Sequence, residues 1–138
     1  MNEGFKARSK RLIEEAWNEG RMESVDDAFT SDCVVHHPPF PDIVGPEGVK
    51  QTLTELRKAF PDLRMTIDEV LVDSDSGAYH YTVEGTHEGE SAVLQAPTGK
   101  HVVWRGASVV RFREGKIAEE HEYDDNLGML QQLGMLGG

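Results

Sequence analysis

The residues best equipped for chemistry crowd near the C-terminal end, in Ala118-Glu119-Glu120-His121-Glu122-Tyr123-Asp124-Asp125. Four carboxylates and an imidazole fall within the six positions Glu119 to Asp124. The Glu114-Gly115 pair ahead of them suits a chain reversal between strands. In an extended chain, Ile117, Glu119, His121 and Tyr123 share one side, and Ala118, Glu120, Glu122 and Asp124 the other. A carboxyl on either side that is held away from water gains a raised pKa and becomes useful for proton transfer. The competing reading is an edge strand whose solvated acids discourage edge-to-edge pairing.

Histidines are the other candidates. His36 and His37 are adjacent, so they point to opposite faces and make a poor metal pair by themselves; His36 is taken as the one that reaches a cavity mouth. His87 ends a run, Tyr79 to His87, in which Tyr79, Tyr81, Val83 and His87 fall on one face. It is read either as a hydrogen-bond donor to substrate or as a histidine satisfied by backbone. The spacing of His36, His87 and His121 matches no compact ligand motif, and no metal is expected. Cys33 stands alone, with no neighbour in sequence to stabilise a thiolate, and is expected to be a packed thiol.

These groups need a scaffold. Phe5, Leu12, Ile13, Ala16 and Trp17 recur at helical spacing up to Gly20. Ser24 is placed as the cap of a short helix bearing Val25, Ala28 and Phe29. Cys33 to His37 reads as a short strand ended by Pro38-Pro39, and Phe40 to Val44 as a loop. Gly45-Pro46-Glu47 opens a helix whose stripe is Val49, Leu53, Leu56 and Phe60, stopped by Pro61. Thereafter the period changes. Leu63 to Val72, Tyr79 to His87, Val102 to Phe112 and a strand from Lys116 make four antiparallel strands. Trp104, Gly106, Ser108, Val110 and Phe112 share one face of the third. Between the second and third lie an apolar patch, Ala92-Val93-Leu94, and a turn, Pro97 to Lys100. Leu127, Leu130 and Leu133 mark a closing helix.

Helices segregated from a run of hairpin-linked strands specify an α+β domain over residues 1–138, with no linker, repeat or boundary. A strongly curved sheet over a long helix would enclose room for one small molecule. His87, Ser108 and the acids of the last strand would meet there, with Trp104, Tyr79, Tyr81 and Phe60 as cavity wall or core.

Composition narrows the partners. With 14 Lys and Arg against 25 Asp and Glu, the net charge is −11, which disfavours nucleic acid and anionic lipid. No apolar run approaches the ~20 residues of a membrane helix, and Met1 to Lys6 lacks a secretion signal. A single cysteine excludes an internal disulfide, and a reducing cytoplasm is expected.

Several pieces in order resemble the polyketide-cyclase-like (SnoaL-like, ester cyclase) branch of the nuclear-transport-factor-2-like superfamily. They are Trp17-Asn18-Glu19-Gly20, Gly45-Pro46-Glu47-Gly48-Val49-Lys50 and Phe60-Pro61-Asp62-Leu63, then Gly85-Thr86-His87-Glu88-Gly89 and Pro97-Thr98-Gly99-Lys100. Arg111 through Ile117 and the tail from Leu127-Gly128 to Gln132-Leu133-Gly134 complete the set. The resemblance implies a cone-shaped curved sheet around the helices, a homodimer or homotetramer, and a small hydrophobic or polyketide-like ligand. It further implies cofactor-free ring closure by an intramolecular aldol step, or a related lyase or isomerase reaction. Alignment from Gly115-Lys116-Ile117 puts the proton-abstracting carboxylate on Glu122, where the cyclases carry Asp. Ser108 and Glu120 stand where some members carry His, while His87 and Asp125 match His and acidic positions, Asp125 being placed equally as the cap of the last helix. Catalysis is thus expected from Glu122, His87 and Asp125, with His36, Ser108, Trp104, Tyr81 and Phe60 against the substrate. Two alternatives stay open. One is an epoxide hydrolase on the same scaffold, which needs an acid pair with an arginine between, although Arg105 falls on the face opposite Ser108. The other is a non-catalytic binding or dimerisation module.

Overall fold

The structure is a computed structural model and describes residues 4–91, 94 and 96–136. Its elements run α1 (Phe5–Glu19), α2 (Met22–Ala28), β1 (Phe29–His36), β2 (Ile43–Val44), α3 (Gly45–Ala59), β3 (Arg64–Asp73), β4 (Ser76–Thr86), β5 (His101–Arg113), β6 (Lys116–Asp124) and α4 (Asn126–Leu133). The strands form one curved, unclosed sheet in the order β2-β1-β6-β5-β4-β3. All neighbours are antiparallel except β1 and β6, which run parallel.

Local chemistry explains the helices. In α1, Leu12, Ile13 and Ala16 are buried, and Gly20 ends the helix at φ 66°, a left-handed conformation suited to glycine. Asn18 and Glu14 then tie α1 to the edge strand β3. Asn18 exchanges two hydrogen bonds with the Met65 backbone (2.6 and 2.8 Å), and Glu14 accepts from the Ile67 amide at 2.8 Å. This occupies backbone groups that an open edge would leave bare. In α3, Pro46 and Glu47 sit in the first turn and Arg57 and Lys58 in the last, in accord with the helix dipole.

The sheet departs from the sequence expectation at its N-terminal side. The first strand begins at Phe29 rather than Cys33 and joins the main sheet beside β6, so the sheet is mixed and six-stranded. Ile43 and Val44, expected in a loop, add a short edge strand to β1. Ser24 does not cap α2; its hydroxyl donates to Glu15 Oε1 at 2.9 Å instead. Of the apolar patch after Ser91, Ala92 and Val93 lie outside the described residues. No helix among the described residues is long and apolar enough to cross a membrane.

A shift in register positions the acids. Arg111 pairs with Glu119 but Phe112 pairs with Ile117, which leaves Ala118 without an opposite residue. The extra residue lets Ile117 and Glu120 both be buried, although regular alternation puts them on opposite faces. Alternation then resumes through Glu122 and Asp124.

Candidate active site

The concave face of the sheet and α1, α2 and α3 enclose a cavity of about 470 Å³. Its wall is mainly apolar, with Leu12, Trp17, Val35, Leu53, Trp104 and Met129 among the lining residues. A polar group shares it: Glu120, Glu122 and Asp124 from β6, Tyr79 from β4, and His37 from the position following β1. No lysine or arginine lines the cavity among the described residues.

His37 Nε2 lies 2.9 Å from Asp124 Oδ2 and 3.5 Å from Glu122 Oε2. The distances are those of ion pairs, but the alignment is poor, and Nε2 makes no well-formed hydrogen bond. Tyr81 donates its hydroxyl to Asp124 Oδ1. Gly106 makes that contact possible. It pairs with Tyr81 on one side and Asp124 on the other, and an added Cβ would overlap both the Tyr81 hydroxyl and Asp124 Oδ1.

Electrostatics separates the two acids. Burial, then the charge of Asp124, pushes the Glu122 carboxyl well above the usual carboxylate range. Burial alone would raise Asp124 as well, but the close polar contacts of His37 and Glu122, with the Tyr81 hydrogen bond, outweigh it and hold Asp124 below its ordinary value. The two neighbouring carboxyls are thus driven apart, Glu122 towards holding a proton and Asp124 towards the charged form. Burial raises the pKa of Tyr81, so it remains a donor. Glu120 forms a separate unit, accepting hydrogen bonds from Tyr79 (2.8 Å) and Ser108 (2.7 Å). Burial raises its carboxyl too, against the lowering effect of those hydroxyls.

The residues singled out from sequence fall in different places. Glu122 and Trp104 line the cavity. Ser108 is buried against Glu120, and Tyr81 is buried against Asp124. Phe60 is not a lining residue; it is fully buried core, its ring 5.6 Å from Trp104 and 5.5 Å from His87. His87 does not line the cavity either. It is buried beyond the end of β4, where Nδ1 accepts from the Thr98 amide at 3.2 Å and burial lowers its pKa. Asp125 is exposed and caps α4, accepting from the Gly128 amide at 2.8 Å. His36, expected at the cavity, is not among its lining residues. Its ring stacks on His121 at 4.5 Å and bonds to Glu119 and Asp42 at 2.9 and 3.0 Å. Cys33 is buried, and burial raises its thiol. Arg105 is exposed and absent from the lining, so among the described residues the acid–arginine–acid arrangement of the hydrolase alternative has no counterpart in the cavity.

His37 and Asp124 are the site residues that sequence alone did not single out. Each is one position from a residue expected in its place, and alternation already grouped Asp124 with Glu120 and Glu122. Donor atoms close enough to share a cation occur in two groups among the described residues, His37–Glu122–Asp124 at the cavity and His36–Glu119–His121 outside it. Within each, imidazole and carboxylate groups pair with one another, and neither is assigned a metal.

A family model described as SnoaL-like polyketide cyclase matches residues 7–133. No functionally curated protein matches the chain significantly. Among solved structures, IdmH of Streptomyces antibioticus, named as a candidate polyketide cyclase, is 27% identical. The match covers 91% of this chain and 96% of that one, with a TM-score of 0.77. AclR of Streptomyces galilaeus, named as a candidate hydroxylase, is 29% identical over 96% of this chain and 85% of its own, with a TM-score of 0.78. A protein from Catenulispora acidiphila with a ketosteroid isomerase-like fold, solved with trimethylamine, is 15% identical. The match covers 92% of each chain at a TM-score of 0.77 and attests the fold alone.

Proposed function

Because the chain belongs to the SnoaL-like polyketide cyclase family, we propose that it closes a ring in a neutral, polyketide-like carbonyl compound, using the Glu122–Asp124 pair for proton transfer. The observation that carries this reading is the pair itself: Glu122 and Asp124 both line a mainly apolar cavity beside His37, the one carboxyl pushed above its ordinary range and the other held below it. The Asp124 carboxylate takes the proton α to a carbonyl. The electron pair of that C–H bond passes into an enolate, whose oxygen accepts a hydrogen bond from protonated Glu122. Ketosteroid isomerase divides the same work between an ionised and a neutral acid. The enolate carbon then adds to a second carbonyl of the same molecule, forming the C–C bond and leaving an alkoxide to be protonated.

Two features favour a neutral ligand. The cavity lies within the ~300–1,000 Å³ of small-molecule sites, and its acids have no lysine or arginine beside them to balance a substrate carboxylate. The reaction as written consumes no cofactor. On the same footing the working unit is a single domain over residues 1–138, a homodimer or homotetramer, in the cytoplasm. Incubation in D2O with a neutral 1,5-diketone bearing a β-keto ester tests the reading, since α-C–H exchange followed by a cyclic product is expected. Binding of the probe with neither exchange nor closure would leave only a binding module.

A further inference from the structure

Glu120 takes no part in the steps above, yet it reaches the same cavity and is, among the described residues, the acid most fully withdrawn from water, 3% exposed. The hydroxyls of Tyr79, on β4, and Ser108, on β5, both donate to one of its oxygens, Oε2 (2.8 and 2.7 Å). Neither hydroxyl touches Oε1. An acid fixed in this way carries any proton on Oε1, because Oε2 is already occupied by two donors. We propose that Glu120 is the general acid of ring closure: through Oε1 it protonates the alkoxide that forms when the enolate carbon attacks the second carbonyl, while Tyr79 and Ser108 act as positioning residues. This inference rests on the aldol reading of the Glu122–Asp124 pair.

The geometry of one strand supports it. Glu120 and Glu122 are alternate residues of β6 and project from the same face, roughly 6.6 Å apart along the chain. Closure generates two oxygens that need donors at once, the enolate oxygen and the alkoxide, on carbons separated by a single carbon. A hydrogen-bond reach of about 2.6–3.2 Å at each end brings the span of such a pair up to that strand repeat. Protons balance: Asp124 gains one from carbon, Glu120 gives one to oxygen, and solvent restores both. The groups facing Glu120 agree with this role. They are Tyr79, Ser108, Glu122, Asp124 and His37, with Cys33 on β1, and burial is the main influence raising its carboxyl above the ordinary value.

The test separates deprotonation from closure, with the 1,5-diketone β-keto ester as probe. Glu120→Gln should slow ring closure by roughly a hundredfold or more, while α-C–H exchange in D2O falls less than about tenfold, so exchanged but uncyclised probe accumulates. Should Glu120→Gln fail to fold, the Tyr79→Phe/Ser108→Ala pair, which frees Oε2, is expected to give the same split at smaller size. Closure at the wild-type rate, or equal loss of both steps in a folded variant, overturns the proposal. Absence of exchange in the wild type overturns instead the aldol reading on which it stands.

Discussion

His37 Nε2 approaches Asp124 Oδ2 to 2.9 Å, although 87 positions of sequence separate the two residues. The parallel pairing of β1 with β6 brings them together. It sets His36 opposite His121 and delivers the next residue to the acids that face the cavity. From this contact, and from the Tyr81 hydroxyl on the other oxygen, follows the division of labour between the two carboxyls.

Removing a donor to Asp124 should therefore move the acid limb of the pH–rate profile. Hydrogen bonds and close polar contacts that favour the charged form lower a carboxyl's pKa, so Tyr81→Phe or His37→Ala raises that of Asp124. The rising limb of kcat/KM shifts to higher pH, and activity on that limb falls roughly tenfold for one charged hydrogen bond lost. An unmoved limb in both variants would detach Asp124 from these neighbours.

Glu122 should make the fold less stable at neutral pH than an uncharged side chain would. Its folded pKa is raised, so the cost is absent below the unfolded value of about 4.3 and grows as pH rises towards the folded value. Glu122→Gln is expected to raise Tm by a few degrees at neutral pH and to have no such effect at about pH 3. Thermal melts at the two pH values decide it, and equal shifts at both would mean that Glu122 titrates as an ordinary acid.

Gly106 is the space in which Tyr81 and Asp124 meet. Gly106→Ala should displace the Asp124 carboxyl and cut the exchange rate by about a hundredfold, the scale of a ~1 Å misplacement. The unfolding midpoint, read alongside, should fall proportionately less. Wild-type exchange in a folded Gly106→Ala protein would show that Asp124 need not sit where it does.

Much of this was legible in sequence. The turn at Gly115, the α3 start at Gly45-Pro46-Glu47, the Gly20 stop and the alternation that gathers Glu120, Glu122 and Asp124 all follow from local chemistry. What was not legible depends on partners distant in the chain. Whether His36 or His37 turns inward is set by where β1 enters the sheet and by the register shift between Phe29 and Val34. Of the two readings open to Asp125, cavity acid or helix cap, the structure shows the cap, a result set by where the strand gives way to the helix. His87 shares a strand face with the wall residue Tyr79, and Phe60 ends the α3 stripe, yet both lie beyond the cavity, an outcome that local periodicity does not encode.

Asp125 offers a check on that boundary. Asp125→Ala removes the α4 cap and should cost about 1 kcal/mol, measured by denaturant unfolding, with exchange activity close to wild type. A folded Asp125→Ala protein devoid of exchange would return this residue to the chemistry.

The most direct measurement compares α-C–H exchange of the neutral β-keto ester probe in D2O for wild type, Asp124→Asn and Glu122→Gln. If Asp124 is the base and Glu122 its proton-bearing partner, Asp124→Asn should lose roughly 10²–10⁴-fold. Glu122→Gln, which keeps a neutral donor, should lose at most about tenfold to a hundredfold. Undiminished exchange in Asp124→Asn would contradict the account.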